Sequence, residues 1–266
     1  MKKLLCLLLA AVMLLCLAAC NKPENDKPEN DKPEEPTQEK KTVTIYMLES
    51  VTATSGAETA TLKVILEEGW QNKDSITAKF QMDTPEGSVA YSMHYEEKRT
   101  VMDYGEGAQK ITILYDDHGR AISQTVTFPE GASVTKNETL TTYDDKGRIT
   151  KQETNMYYAD QKEPVTQQSV AYTYVDTEDG SKGTAIDGGI VQELYYDANG
   201  RAVKNVTMVD GKEVTRTQYT YDDNGNQVKQ ETYVSGTLTA TTVNTYKTYE
   251  IDGEKAEKMP YLRQAK

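Results

Sequence analysis

Alternation of apolar and polar residues is the main pattern of the chain from residue 42 onward. Val43, Ile45 and Met47 fall at every second position, and so do Ile111 and Ile113 ahead of a tyrosine. A period of two is typical of a strand with one buried face, because successive side chains point to opposite faces of a sheet. Helical spacing of apolar residues is not sustained over any long stretch, so the pattern predicts an all-β domain.

The sequence Tyr-Asp-x-x-Gly occurs four times, and each time it predicts a tight turn between two strands. The copies span 115–119, 143–147, 196–200 and 221–225. The Asp carboxylate accepts a hydrogen bond from a backbone N–H two residues on, and the Gly adopts the positive φ that residues with a Cβ avoid. We expect structural turn roles for eight residues: Asp116, Gly119, Asp144, Gly147, Asp197, Gly200, Asp222 and Gly225.

The spacing of the four copies predicts a repeated unit with one degenerate member. Their tyrosines lie 28, 53 and 25 residues apart, so the middle interval is about twice the others. Tyr172 to Asp176, followed by Gly180, fits the missing position. The copies also agree after the turn, since 151–154 and 229–232 both read Lys-Gln-Glu-Thr. Agreement that extends beyond the turn indicates copies of one structural unit.

These residues resemble the YD-repeat or RHS-repeat family, whose units read Tyr-x-Tyr-Asp-x-x-Gly-Arg and continue into a strand. Arg120, Arg148 and Arg201 stand at the Arg position, and Asn226 departs from it. The resemblance covers about residues 111–249 and implies a series of β-hairpins. Large family members wind many units into a shell around a toxin. Four or five units are too few for a shell, and the sequence shows neither a self-cleaving segment nor a toxin domain, so that role is not expected.

Composition indicates how the strands are buried. Only 37% of residues are hydrophobic, and 18 Tyr stand against 2 Phe and 1 Trp, so tyrosine rings and threonine methyls must supply much of the apolar contact. We expect an antiparallel meander of repeated hairpins that forms an elongated, twisted, curling sheet, with two packed sheets as the alternative. The expected divisions are an N-terminal β region at 42–110, the repeats at 111–249 with their longest loop at 176–189, and a C-terminal tail at 250–266.

The first 41 residues predict export and lipid attachment. Two lysines precede an uncharged apolar run that ends at residue 19, as in a signal peptide covering residues 1–19. The run ends in Leu-Ala-Ala-Cys, which resembles the bacterial lipobox, so Cys20 is the expected lipidated N-terminus of the mature protein. An uncleaved membrane anchor is the alternative. Residues 20–41 repeat Lys-Pro-Glu-Asn-Asp and predict an extended tether with a reach of roughly 60 Å.

Charge and cysteine content narrow the function classes. The three cysteines stand at positions 6, 16 and 20, so the domain has no thiol for a disulfide or a thiolate metal site. The net charge of −12 disfavours nucleic acid as a partner and permits basic ligands. A charge excess spread along strands is, however, usually a solvated face. We expect no cofactor and no metal site.

Residues suited to catalysis are few. His94 and His118 are the only histidines, which excludes a multi-His metal centre. His118 occupies a turn position that varies between the copies, and His94 lies in a strand where a half-buried structural role is expected. Carboxylate pairs such as Asp116 and Asp117 recur with the turns, which favours a structural role over an acid–base pair.

Calcium binding is a more specific alternative to a structural role for the acidic turns. Asp222, Asn224 and Asn226 fall at alternate positions, as ligands of a calcium loop do. Gly225 comes earlier than the glycine of an EF-hand loop, and Lys146 would place a cation inside a sister site. The sequence therefore favours turns without metal.

Doubled tyrosines predict where a ligand would bind. If Tyr196 joins the repeated tyrosines on the buried side, Tyr195 must point to the opposite face. One member of the pair Tyr157 and Tyr158 is likewise turned outward, and we take Tyr195 and Tyr158 as the candidate binding residues. Exposed tyrosine rings suit stacking on sugars or contact with a peptide. The alternative is that this face packs against the strands of 42–110.

Two functions from different classes follow. The favoured one is a non-catalytic lipoprotein, held at the cell membrane by its N-terminal lipid and facing outside, that binds a glycan or a protein through its sheet. The alternative is a cell-envelope enzyme, such as a glycan hydrolase, with its site in residues 42–110. The sequence holds no unique constellation of His or Cys residues outside the repeats, which favours binding over catalysis.

Overall fold

The computed structural model describes residues 42–84 and 87–264. The predicted signal peptide, Cys20 and the tether lie outside the described residues.

Helical structure within the described residues is limited to a 3-10 turn, Trp70–Asn72, and the helix α1, Gly253–Lys258. Neither is long and apolar enough to span a membrane. The described strands are β1 Thr42–Ser55, β2 Glu58–Leu66, β3 Ile76–Thr84, β4 Gly87–Glu96, β5 Arg99–Asp103, β6 Lys110–Tyr115, β7 Ala121–Thr127, β8 Val134–Tyr143, β9 Ile149–Tyr158, β10 Val165–Ala171, β11 Thr173–Thr177, β12 Gly180–Asp187, β13 Ile190–Asp197, β14 Ala202–Val209, β15 Lys212–Tyr221, β16 Gln227–Val234, β17 Thr237–Asp252 and β18 Arg263–Gln264.

Alternating burial within the strands follows the alternating sequence. In β6, Ile111, Ile113 and Tyr115 are buried, whereas Leu114 between them is 41% exposed. In β1, Ile45 and Met47 are buried while their polar neighbours are not. The strands predicted from periodicity therefore form as expected, because one face of each strand is removed from water.

The strands form a single antiparallel sheet that follows chain order. Each strand from β1 to β9 pairs with the next, and so does each strand from β11 to β16. Only Tyr172 separates β10 from β11, so the two act as one run that pairs first with β9 and then with β12. β17 finally pairs with β1 over most of its length. The predicted all-β meander with a curling sheet is confirmed, and its curl brings the last long strand back to the first.

The meander sorts the turns between the two ends of the sheet. The four motif turns join β6 to β7, β8 to β9, β13 to β14 and β15 to β16, and antiparallel pairing places all of them at one end. The opposite end carries turns of different sequence, such as Gly188-Gly189, Asp210-Gly211 and Ser235-Gly236. One end of the molecule is thus built from repeated turns, and the other from variable ones.

Most buried apolar residues lie on one face of the curled sheet, which we call the inner face. The larger apolar cluster includes Phe80, Met93 and Ile111 on the first strands, and the smaller one includes Tyr172 and Leu194. The inner face of β16 and of the middle of β17 is mainly polar instead: Gln227, Gln230, Thr242 and Asn244 are buried there beside Ala240. The face that points away from these clusters is the outer face. The apolar core is therefore uneven and concentrated in the first third of the domain.

The segment predicted as a C-terminal tail, 250–266, is part of the fold over its described residues. β17 extends to Asp252, whose carboxylate caps α1 by accepting the Glu254 N–H at 2.9 Å. β2 pairs only with the second half of β1, and β18 pairs with the first half. Tyr261 stacks on Tyr115 with ring centroids 4.3 Å apart. These contacts fill the gap where β1 and β2 separate.

Lys255 of α1 joins this segment to the 3-10 turn. Its ammonium donates to the carbonyl oxygens of Trp70 and Lys73 at 2.8 and 2.6 Å. Burial lowers the pKa of Lys255, because the charged ammonium is partly removed from water. A charged side chain thus binds the C-terminal end of the 3-10 turn, where the Trp70 carbonyl also accepts the Lys73 N–H.

The prediction of a loop at 176–189 is wrong, because most of that segment forms β12. Its glycines and serine resemble loop composition, but Gly183 serves a packing purpose within the strand. A Cβ at Gly183 would lie 2.5 Å from Cε1 of the Tyr174 ring, which crosses over the strand there. Gly183 is therefore needed for the contact between neighbouring strands and does not mark a loop.

We expect Gly225→Ala to destabilise the domain by about 1 kcal/mol, because φ at this position is +80°. Gly119→Ala should cost clearly more. Its φ is +75°, and its added Cβ would also stand 2.4 Å from the carbonyl oxygen of Pro260. Urea unfolding of both variants measures the two free energies. Equal losses would mean that the contact between this turn and the C-terminal segment contributes nothing.

Candidate ligand-binding face

The predicted turn residues form the same hydrogen-bonded turn at each motif. In the first copy, the Gly119 N–H donates to the Asp116 carbonyl at 2.9 Å, and one Asp116 carboxylate oxygen accepts the N–H groups of His118 and Arg120. The other carboxylate oxygen accepts Nε of Arg120 at 2.7 Å. The Asp side chain therefore satisfies three donors that the turn leaves without a ladder partner.

The second and third copies repeat these bonds closely. Arg148 Nε and Arg201 Nε donate to their aspartates at 2.7 Å, as Arg120 does. Asp144 and Asp197 also accept the backbone N–H of those arginines at 2.9 Å. Identical geometry at three sites shows that this chemistry belongs to the turn and not to a single functional site.

Asn226 departs from the arginine pattern in sequence but preserves the bond. Its Nδ2 donates to the second carboxylate oxygen of Asp222 at 3.0 Å, and its backbone N–H donates to the first at 2.7 Å. Asn226 is buried, with 1% of its surface exposed. A short amide thus replaces a guanidinium where the site has no room for the longer side chain.

The repeat tyrosines link each unit to the one before it. The hydroxyl groups of Tyr143, Tyr174 and Tyr221 donate to carbonyl oxygens in the preceding unit at 2.7–2.8 Å. The arginine of that unit lies over the same ring, 4.3 Å from the centroid for Arg148 and Tyr174. Tyr174 therefore fills the repeat position in the segment that sequence spacing predicted to be degenerate. Burial raises its pKa, which keeps the hydroxyl protonated as a donor.

Tyr195 and Tyr196 point to opposite faces of β13. Tyr196 belongs to the smaller apolar cluster and is 8% exposed. Tyr195 lies on the outer face, where it pairs across the sheet with Lys182 on one side and Lys204 on the other. The ammonium of Lys204 is 3.7 Å from the Tyr195 ring centroid, and that of Lys182 is 5.4 Å away. The ring is thus held between two cations.

Glu193 completes this group, which we call the Tyr195 cluster: Lys182, Glu193, Tyr195 and Lys204. The Tyr195 hydroxyl donates to Glu193 at 2.5 Å, and Glu193 also forms an ion pair with Lys182. Burial disfavours the charged form of Glu193 and so raises its pKa. The hydrogen bonds that Lys182 and Tyr195 donate outweigh this effect and hold the pKa below the usual value. The hydrogen bond that Lys182 donates to Glu193 raises the pKa of Lys182. The cluster therefore presents two ammonium groups and one carboxylate at neutral pH.

Tyr157, and not Tyr158, is the outward member of the other pair. Tyr157 faces Lys136, whose ammonium is 3.7 Å from its ring centroid, and its hydroxyl donates to Glu138 at 2.9 Å. Tyr158 shares the inner face with Met156 and lies opposite Val134 at the end of the strand. Its position follows from the alternation of β9, whose register could not be read from the sequence.

A groove of about 340 Å³ lies over strands β3 to β5, within the region considered for an enzyme site. Its lining includes Ser92, His94 and Asp103. His94 Nδ1 is 3.2 Å from the hydroxyl of Thr77, as expected for a half-buried structural histidine. Asp103 accepts the Gly105 N–H at 2.9 Å and pairs with a lysine, and these bonds lower its pKa. His118, the second histidine, donates its backbone N–H to the first motif turn.

Metal ligation finds no support in side-chain clusters. Among residues 42–84 and 87–264, no group of three or more His, Cys, Asp or Glu side chains is arranged to hold a metal ion. The acidic residues of the motif turns are instead bonded to backbone N–H groups and to Arg or Asn side chains.

Comparison with known proteins finds likeness in structure alone. No family model and no curated protein matches the chain. A porin-like protein from Bacteroides uniformis is 11% identical with a TM-score of 0.44, and the match covers 77% of this chain and 97% of that one. A putative outer membrane lipoprotein-sorting protein domain from Vibrio parahaemolyticus is 13% identical with a TM-score of 0.27, covering 72% and 91%. A DUF1329 family protein from Desulfovibrio piger is 6% identical with a TM-score of 0.29, covering 80% and 86%. Likenesses this distant say nothing about what the chain does.

Acid should weaken the turn at Asp144 in a measurable way. Burial raises its pKa, but the stronger combined effect of the bonds from Arg148 holds the pKa below the usual value of about 4. The carboxylate therefore stabilises the fold above that value, and its contribution is lost as pH falls through the folded pKa. We expect Asp144→Asn to cost about 1–2 kcal/mol at pH 7 and to make the fall in melting temperature below pH 4 shallower. Asp145→Asn, at the exposed neighbour, is the control, and an equal effect from both would contradict the assignment.

Proposed function

We propose that the chain is a non-catalytic, lipid-anchored protein of the bacterial cell envelope that binds a glycan or protein ligand on the outer face of β12 to β14. The Tyr195 cluster is the observation that carries this proposal. Its side chains sit on three paired strands and are fixed by contacts with one another. A site that is ordered before binding loses little conformational entropy when the ligand arrives.

The chemistry of the cluster defines the ligand more closely than an exposed tyrosine alone. The Lys204 ammonium covers one face of the Tyr195 ring, so an uncharged sugar would have to displace it before stacking. A carboxylate of an acidic sugar or of a peptide would instead pair with the two ammonium groups without disturbing the ring. Ligands that carry hydroxyl and carboxylate groups therefore fit the cluster best.

Attachment to the membrane rests on the sequence of the first residues. The uncharged run before Leu-Ala-Ala-Cys and the repeated Lys-Pro-Glu-Asn-Asp tether support lipidation at Cys20 and distance from the lipid surface. This arrangement would place the domain outside the membrane, where glycans and proteins of the envelope or of a host are accessible.

We also propose that the repeated units are related to YD or RHS repeats. The support is the shared turn of Asp, Gly and Arg together with the tyrosine of the next unit. The units here would serve as a scaffold for a binding face, since they curl into one sheet and enclose no second domain among the described residues.

The alternative of a glycan hydrolase in residues 42–110 has weaker support. Hydrolysis of a glycosidic bond ordinarily uses two carboxyl groups on opposite sides of that bond. Asp103 is the single carboxylate among the residues that line the groove over β3 to β5. His94 and Ser92 both line the groove, but Nδ1 of His94 lies beside the hydroxyl of Thr77 and not beside that of Ser92.

A glycan and protein array probed with the soluble domain tests the proposed site. We expect Tyr195→Ala to reduce binding to the recognised ligand at least tenfold, while Tyr195→Phe, which keeps the ring between the lysines, retains most of it. Tyr157→Ala is the matched control, since it removes a tyrosine with the same Lys and Glu contacts elsewhere on the outer face.

Unfolding of the Tyr195→Ala domain separates a binding role from a packing role. Tyr195 is only partly buried, so the loss should stay well below the roughly 3 kcal/mol that follows truncation of a large core side chain. A larger loss, or equal loss of binding in Tyr157→Ala, would contradict the proposed site.

Lipid attachment is tested separately by Cys20→Ser. We expect this variant to lose labelling by a radioactive fatty acid and either to leave the membrane fraction or to retain its signal peptide. Cys16→Ser is the control, because that residue lies within the predicted signal peptide and should not change labelling. Unchanged labelling of Cys20→Ser would refute the anchor.

A further inference from the structure

Within residues 42–84 and 87–264, the ring of strands has a seam between β10 and β12. β10 pairs with β9 on one side, and within the described residues no strand pairs with its other side. β12 pairs with β11 only from Gly180 to Thr184, which leaves its last residues paired with β13 alone. The pairing therefore ends below Tyr172, although parts of β10 and β12 stay within 8 Å of each other in Cα distance, and each strand presents an unpaired edge to the other.

Backbone groups of β10 point into this seam. The Tyr172 N–H donates to the Thr150 carbonyl at 2.9 Å, so residue 172 faces β9. Neighbouring residues of a strand direct their N–H and C=O groups to opposite sides, and the register from Ser169 to Ala171 is regular. Ser169 and Ala171 consequently direct their backbone donors and acceptors away from β9 and toward β12.

Within β10 two common protections against strand addition are missing, although a bulge between Thr166 and Gln168 interrupts its lower half. Edge strands commonly carry lysine or proline, which hinder pairing with another chain. The sequence of β10, Val-Thr-Gln-Gln-Ser-Val-Ala, contains neither, although 27% of the protein is charged. An uncharged edge of seven residues is long enough to pair with an extended peptide.

Exposed apolar side chains flank the seam. Ile186 on β12 is 73% exposed, the highest value among the large apolar side chains of the described residues. Val165, at the start of β10, is 40% exposed. A peptide strand in the seam would cover apolar surface as well as backbone groups.

Charge around the lower end of the seam is mainly acidic. Asp160 and Glu163 precede β10, and Asp187 ends β12, whereas Lys162 is the single cation in this group. All four are exposed. A second copy of this chain would bring the same acidic residues against them, so a basic partner is favoured over self-association.

We propose that the seam binds an extended peptide with alternating apolar and basic side chains, which adds to β10 as a further strand. Its backbone would pair with Ser169 and Ala171, its apolar side chains would cover Ile186, and its basic groups would meet the acidic residues below. This site lies beside the Tyr195 cluster and is separate from it, so either can fail without the other.

Fluorescence anisotropy with synthetic ten-residue peptides tests the proposal on the full mature chain in non-ionic detergent, with micelles alone as the blank. A labelled peptide alternating valine and lysine should bind. Two controls should bind at least tenfold more weakly: a valine–glutamate peptide, which reverses the charge, and a valine–lysine peptide methylated on alternate backbone nitrogens, which cannot pair as a strand.

Variants of the edge locate the binding. Ser169→Pro removes an N–H that faces the seam without removing a bond to β9, and it should weaken binding at least tenfold, whereas Ser169→Ala should not. Ile186→Arg, on β12, should weaken binding to a similar degree. It replaces the proline variant as the test if Ser169→Pro does not fold.

Two outcomes would overturn the proposal. The first is equal binding of the methylated and unmethylated peptides, or unchanged binding in folded Ser169→Pro and Ile186→Arg. The second is a dimer in analytical ultracentrifugation that Ser169→Pro abolishes, because the seam would then be occupied by a second copy of this chain.

Discussion

The carboxylate of the turn aspartate is the group on which the repeated part of the structure depends. Each one accepts backbone N–H groups within its own turn and a side-chain donor from Arg or Asn four residues later. Where that donor is arginine, its guanidinium also lies over the tyrosine of the next unit. One carboxylate thus shapes a turn and orients the contact to its neighbour, so units with few aliphatic residues still stack in register.

The curled sheet follows from the small number of apolar residues. A domain with 37% hydrophobic residues cannot fill a deep core between two sheets, and the apolar clusters lie mainly on the first strands and on β10 to β13. The inner face of β16 and of the middle of β17 buries mainly amides and threonine instead. Pairing β17 with β1 satisfies the backbone groups that two free edges would expose, and hydrogen bonding compensates for the thin apolar core.

The two proposed sites lie where side chains outside the repeated motif come together. The turn aspartates, glycines and repeat tyrosines are occupied by structural bonds, which removes them from consideration as a site. The Tyr195 cluster arises because β12, β13 and β14 place Lys, Tyr and Lys directly opposite one another. The seam arises because β10 and β11 change partners at Tyr172. The seam stands in the degenerate part of the repeat, where a unit lacks its regular turn, and β12 of that unit contributes Lys182 to the Tyr195 cluster.

Sequence by itself determined most of the strands, the motif turns and the opposite directions of Tyr195 and Tyr196, because a period of two and the φ preference of glycine are local properties. It did not determine that the sheet would return to β1, that Gly183 belongs to a strand, or that Tyr157 would face outward and Tyr158 inward. These depend on register and on contacts between residues far apart in the chain, such as Tyr174 over Gly183 and Tyr261 on Tyr115. Only the tertiary structure placed lysines against the Tyr195 ring, since cross-strand partners are set by pairing and not by sequence neighbours.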